Sequence, residues 1–236
     1  MLKKLMGIML TLVLTLSLTG CSFFEDDKNT NETKTTDTSK DDSVKIKTVD
    51  DFAESEGLIR YFTIEDYKFA LPETVGEYVN YLEQLGTVTL NETGKSVNDV
   101  EINAGGVSSM AAYLTVKTDE DEEARFYVRY ENKTDDDIPV AEASITYLEV
   151  KYDMYSEFDY DKVFSDIQVV TNDYTFKLND KKGFSRFFNI LGNPNKNIDG
   201  RLDYSDDLGY TYTFDCCNEN RSGIFRGFII KYPVQE

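Results

Sequence analysis

Residues 74–86 read TVGEYVNYLEQLG and residues 180–192 read DKKGFSRFFNILG, and these two stretches decide the predicted fold. In both, apolar residues recur at the spacing of one helix face, which predicts two amphipathic helices. The apolar face of the first is Val75, Tyr78, Val79, Leu82 and Leu85, and that of the second is Phe184, Phe187, Phe188 and Leu191.

The ends of both helices carry capping signals. Thr74 and Glu77 have the spacing of a capping box, in which each side chain bonds the backbone at the position of the other. Asp180 is predicted to cap the start of the second helix. Gly86 and Gly192 are predicted to stop the two helices, since glycine readily adopts the conformation that ends them.

Strand-like segments surround the two helices in the same order. Each helix follows an alternating segment, YKFAL at residues 67–71 and YTFKL at residues 174–178. Further alternating segments come after each helix. In the two copies, residues 126–130 correspond to residues 210–214, and residues 148–152 correspond to residues 228–232. The repeated order predicts a duplication; a single α+β domain with accidental echoes is the alternative.

The predicted fold class is α+β, with two tandem units, each a helix followed by antiparallel strands, and with the helices packed on one face of the sheet. The units are expected at residues 46–155 and 156–236. This order of elements resembles the β-lactamase-inhibitor-protein-like fold and the related SmpA/OmlA-like lipoproteins over residues 67–232. The resemblance implies an architecture and does not imply β-lactamase inhibition, because the disulfide loops of the inhibitor have no counterpart.

The first 21 residues have the features of a lipoprotein signal. Lys3 and Lys4 precede a short apolar run at residues 5–18, which is typical of a secretory signal peptide and too short to span a bilayer. Residues 18–21, LTGC, resemble the lipobox of bacterial lipoproteins. The resemblance implies cleavage between Gly20 and Cys21 and a diacylglyceryl thioether on Cys21. Two acyl chains hold a protein stably on a membrane.

A polar, charged stretch separates this signal from the folded part. Residues 22–43 have no large apolar residue after Phe24, so residues 21–45 are expected to form a lipidated, disordered tether. The expected location is the extracytoplasmic face of the cell membrane, with lipid on Cys21 as the membrane contact.

Composition excludes several classes of function. With 44 acidic against 25 basic residues, the chain repels nucleic acid, whose binding depends on neutralised phosphates. The absence of histidine excludes Ser-His and Cys-His catalysis. The remaining thiols, Cys216 and Cys217, are adjacent and too few for a zinc site. We therefore predict no cofactor, no metal site and no catalytic residue.

The repeat also predicts a candidate binding face. Phe126, Val128 and Tyr130 are apolar in both copies and are expected to face the helices. The residues between them then point to the open face of the sheet. The candidate face is Tyr127, Arg129, Tyr147 and Glu149. Tyrosine and arginine are favoured at binding hot spots, although a solvated sheet also tolerates tyrosine.

The sequence leaves three functions open. The first is a non-catalytic interaction module that binds an envelope or extracellular protein through the open face. The second is a solute-binding lipoprotein of a transporter. The third is a carboxylate-based hydrolase, which requires two carboxyl groups at a set separation in a cleft.

Overall fold

The computed structural model describes residues 52–151, 163–216 and 223–234. The strands are β1 (Tyr61–Ile64), β2 (Tyr67–Phe69), β3 (Thr87–Leu90), β4 (Glu101–Ile102), β5 (Tyr113–Lys117), β6 (Glu123–Glu131), β7 (Ile138–Pro139), β8 (Ser144–Lys151), β9 (Ile167–Val170), β10 (Thr175–Lys177), β11 (Lys196–Ile198), β12 (Arg201–Ser205), β13 (Thr211–Asp215) and β14 (Gly227–Lys231). The helices with both ends in the described residues are α1 (Val75–Leu82) and α2 (Gly183–Leu191).

The strands form two large antiparallel sheets and one small pair. The larger sheet has eight strands in the order β11-β12-β13-β14-β8-β6-β5-β3. A second sheet has four strands in the order β10-β9-β1-β2, and β4 pairs with β7. Both large sheets draw strands from both sides of the predicted unit boundary at residue 155. In the larger sheet, the four strands that precede residue 155 lie side by side, as do the four that follow it, and the two sets meet at the β14–β8 pair.

The prediction of tandem helix-on-sheet units is wrong, because the described chain is mostly β-sheet. The two helices are only eight and nine residues long, so they cover little of the sheet. The four-stranded sheet supplies much of the covering layer. The segments that were expected only to lead into the helices, residues 67–71 and 174–178, contribute its two edge strands, β2 and β10.

One face of the eight-stranded sheet packs against the hydrophobic core. The four-stranded sheet reaches it where Phe62 of β1 meets Phe228 of β14, with ring centres 5.4 Å apart. Helix α2 reaches it where Phe187 stacks on Phe214 of β13 at 4.2 Å. Burying each phenylalanine stabilises the fold by about 1.5–3 kcal/mol.

Helix α1 begins as its sequence predicts. The Thr74 side chain accepts a hydrogen bond from the Glu77 amide, and the Glu77 carboxylate accepts one from the Thr74 amide, so the capping box is confirmed. Gly86 does not end the helix, whose last residue is Leu82. It instead allows a close backbone approach, because a Cβ there would lie 2.2 Å from the Lys117 carbonyl oxygen.

The start of α2 differs from the prediction. Lys182, rather than Asp180, precedes the first helical residue, and its side chain makes no capping bond. The Asp180 carboxylate accepts a hydrogen bond from the Lys182 amide at 3.0 Å and pairs with Arg186 at 2.9 Å. Gly192 does end the helix, with a φ of 77°.

No helix among residues 52–151, 163–216 and 223–234 is long and apolar enough to cross a membrane. The predicted signal peptide, Gly20, Cys21 and the tether lie outside the described residues, as does Cys217.

Candidate binding face

The face of the eight-stranded sheet opposite the core is named here the open face. On strand β6, buried residues alternate with half-buried ones along the whole strand, so Tyr127 and Arg129 point away from the core. Strand pairing places Tyr127 opposite Glu149 and Arg129 opposite Tyr147. The four residues of the predicted candidate face therefore lie side by side on two neighbouring strands.

Arg129 and Tyr147 form a cation–π pair across the two strands. The Arg129 guanidinium carbon lies 4.3 Å from the centre of the Tyr147 ring. Such pairs contribute about 0.5–1 kcal/mol at exposed sites and more when they are desolvated. Arg129 Nε is buried and has no hydrogen-bond partner among the described residues.

Tyr147 is also fixed at its hydroxyl end. The hydroxyl donates a hydrogen bond to Glu149 Oε2 at 2.6 Å, and Lys151 Nζ lies 2.8 Å from Glu149 Oε1. Burial, together with the neighbouring Glu149 carboxylate, raises the pKa of Tyr147 well above its ordinary value. The phenol is therefore neutral and acts as a hydrogen-bond donor at physiological pH.

Further contacts extend the same network to Tyr127. Lys151 Nζ lies 5.2 Å from the centre of the Tyr127 ring. The Tyr127 ring in turn lies 5.6 Å from that of Tyr113, which is opposite it on β5. The Arg125 guanidinium lies 4.9 Å from the Tyr113 ring. Each of these three tyrosines thus has a basic side chain against its ring.

Three residues at this face, Tyr113, Arg125 and Val107, were not predicted from the sequence. Alternation within YLTVK at residues 113–117 could have identified Tyr113 as an outward residue, but its place beside β6 depends on strand pairing. Val107 pairs with Glu131 at the end of β6 and is 72% exposed. It therefore adds an exposed apolar side chain beside this end of β6.

A separate open cleft of about 590 Å³ lies beside α1. Its lining is Ala53, Glu54, Ser55, Ala70, Leu71, Pro72, Glu73, Glu77, Asn80, Tyr81, Leu208 and Tyr210. Two of its carboxylates already have structural partners. Glu54 pairs with Arg60 at 3.1 Å, and Glu77 belongs to the capping box of α1.

Cys216 lies in the core. Its side chain is 2% exposed, and burial raises the pKa of the thiol well above its ordinary value. A neutral, buried thiol is a poor nucleophile.

Comparisons with protein-family models, with curated proteins and with solved structures gave no match.

Proposed function

We propose that this protein is an extracytoplasmic lipoprotein that binds an envelope or extracellular protein through the open face. The N-terminal part of the proposal rests on residues 1–21, where the lipobox-like LTGC implies a lipid anchor on Cys21. The interaction part rests on the open face and assigns no catalytic step.

The observation that carries the proposal is the row of tyrosines on β5, β6 and β8. Tyr113, Tyr127 and Tyr147 are each held against a basic side chain, at ring-to-cation distances between 4.3 and 5.2 Å. Side chains that are already ordered lose less conformational entropy on binding. The face is therefore organised before any partner arrives.

The residue types also suit a protein partner. Tyrosine and arginine are enriched among the few residues that carry most of the binding energy of an interface. Tyrosine offers a large contact area with only two side-chain torsions to fix. On β5, β6 and β8 this combination lies on the sheet face opposite the core, where a partner can reach it.

Crosslinking and affinity capture on intact cells test the proposal, with the native anchored protein as bait. The informative variant is Tyr127→Ala. The matched control is Tyr61→Ala, because Tyr61 is also half-buried and has a lysine over its ring, Lys68, at 4.3 Å. Tyr61 belongs to the four-stranded sheet, so its removal leaves the open face unchanged.

We expect a reproducible captured protein that is reduced at least about tenfold by Tyr127→Ala and is unaffected by Tyr61→Ala. Equal losses in both variants would show that capture follows general stability. Failure of the wild-type protein to capture any reproducible partner would overturn the proposal.

The cleft beside α1 favours a second candidate, a solute-binding lipoprotein. Its volume of about 590 Å³ lies within the range of small-molecule sites. The carboxylate of Glu73, which is not one of the two already engaged, would suit a cationic solute. Thermal unfolding with pools of cationic solutes tests this candidate, since a ligand that binds the native state raises its melting temperature. Loss of that rise in Asn80→Arg would place the solute in the cleft.

A further inference from the structure

The charge of the open face differs from that of the chain. The whole chain has 44 acidic and 25 basic residues. On the open face, however, basic side chains outnumber acidic ones. By strand pairing and alternation, the basic residues there are Lys117, Arg125, Arg129, Lys151, Lys196, Arg201 and Lys231, and the acidic ones are Glu123, Glu131, Glu149, Asp203 and Asp215.

Most of these acidic residues are already engaged. Glu149 pairs with Lys151 at 2.8 Å, and Asp215 pairs with Arg201 at 3.3 Å. Glu131 pairs with Lys133 at 3.4 Å. Asp203 accepts a hydrogen bond from the Thr213 hydroxyl at 2.6 Å. Three of the five acidic groups of the face are therefore ion-paired, and a fourth accepts a hydrogen bond from a hydroxyl.

Two basic residues of the face lie on the strands that flank Tyr147. Arg129 and Lys231 are the residues opposite Tyr147 on either side, on β6 and β14. We name Arg129, Tyr147 and Lys231 the cationic row. Among the residues that the structure describes, no ion pair involves either Arg129 or Lys231. Directly opposed side chains lie about 5 Å apart at Cβ, so the two cations flank one tyrosine.

We infer that the partner of the open face presents carboxylates to the cationic row, so that an acidic protein surface docks where this acidic chain is locally basic. The inference rests on the proposed function and specifies the chemistry of its partner. Charges beyond about 8 Å are screened at physiological ionic strength. The local charge of the row, rather than the net charge of the chain, therefore decides which partner is attracted.

The arrangement favours a protein over an anionic polymer. A polymer presents a line of like charges and needs a line of cations to receive it. Here the acidic Glu149 lies beside the row, and Asp203 and Asp215 lie on the strands beyond it. A polyanion would bring phosphates against these carboxylates, whereas a protein surface places single carboxylates among apolar and neutral groups. Ile229 and Tyr127, next to the row, suit such apolar contacts.

The test uses the mature protein and two defined probes of matched charge: a short peptide whose glutamates are separated by neutral and apolar residues, and inorganic polyphosphate. Amide chemical shifts locate the binding, and titration gives the affinity. The informative variant is Lys231→Glu, because Lys231 is exposed and its loss leaves the core intact. The matched control is Lys181→Glu, which makes the same change of charge at an exposed lysine before α2.

We expect the glutamate peptide to shift amides of β6, β8 and β14, and Lys231→Glu to weaken its binding by about tenfold. Lys181→Glu should change the affinity by less than about twofold, since surface charges far from a contact act weakly. Equal weakening in both variants, or no shift on these strands, would overturn the inference. Tighter binding of polyphosphate at the same strands would also overturn it, in favour of an anionic polymer.

Affinity capture on cells separates this inference from the proposed function. A partner that is lost in Tyr127→Ala but retained in Lys231→Glu would keep the interaction face and overturn the carboxylate partner. A partner that is lost in both variants and retained in Lys181→Glu would support the proposed function and the carboxylate partner. No reproducible partner would overturn the proposed function, and the inference with it.

Discussion

The guanidinium carbon of Arg129 lies 4.3 Å from the centre of the Tyr147 ring, on the sheet face opposite the core. The same ring carries a hydroxyl that donates to Glu149 at 2.6 Å. Tyr147 is therefore fixed on its face by a cation and at its tip by a carboxylate. This fixed geometry distinguishes the open face from a sheet surface with freely moving side chains.

The two faces of strand β6 should respond very differently to mutation. Tyr127→Ala removes a half-buried ring and is expected to cost about 1 kcal/mol of unfolding free energy. Phe126→Ala, at the next position, removes a ring that is 0% exposed and is expected to cost about 3–5 kcal/mol. Urea denaturation of both variants measures the difference. A loss for Tyr127→Ala as large as that for Phe126→Ala would place Tyr127 in the core.

The capping box of α1 should contribute measurably to stability. Thr74→Ala removes the acceptor for the Glu77 amide and is expected to destabilise the protein by about 1 kcal/mol. Thr74→Asn keeps an acceptor at the same position and should lose much less. Thermal unfolding of the two variants provides the comparison, and similar melting temperatures for both would contradict the role of the cap.

An element of the fold could be predicted from the sequence where neighbouring residues alone indicate it. The capping box follows from Thr74 and Glu77 alone, and alternation along residues 126–130 assigns Tyr127 and Arg129 to the outer face. Strand β1, in the middle of the four-stranded sheet, has no such signal. In β1, three consecutive residues, Phe62, Thr63 and Ile64, are all buried, so the strand does not alternate.

The candidate site was partly predictable for the same reason. Tyr127, Arg129, Tyr147 and Glu149 follow from alternation in two strands. Lys231 and Tyr113 join them only through the pairing of β14 with β8 and of β5 with β6, which links residues far apart in the chain. The local excess of basic charge is likewise visible only once the strands are paired.

Stability should fall at alkaline pH. Burial, with the neighbouring Glu92 charge as a smaller cause, raises the pKa of Tyr130 from 10.0 to about 12. Between those values the unfolded chain releases a proton that the folded chain keeps, so the free energy of unfolding falls as pH rises. The contribution is complete below pH 10 and declines above it.

Tyr130→Phe tests this dependence. The variant lacks the titrating hydroxyl, so its loss of stability between about pH 10 and 12 should be shallower than that of the wild-type protein. Urea denaturation at a series of pH values measures the slope, and a wild-type slope in Tyr130→Phe would contradict the assignment.

The lipid anchor should depend on one cysteine. Cys21→Ala is expected to abolish incorporation of labelled fatty acid and to leave unprocessed precursor, because the thioether forms on that sulfur. Metabolic labelling followed by electrophoresis measures both effects. Cys217→Ala serves as the control and should retain the label; its loss there, or labelling of Cys21→Ala, would contradict an anchor at Cys21.

The most direct test of the interaction face is site-specific photo-crosslinking on intact cells. A photoreactive phenylalanine analogue replaces Tyr127 in one variant and Tyr61, on the four-stranded sheet, in another. We expect a discrete covalent adduct with a protein from position 127 and none from position 61. No adduct from position 127, or the same adduct from both positions, would contradict it.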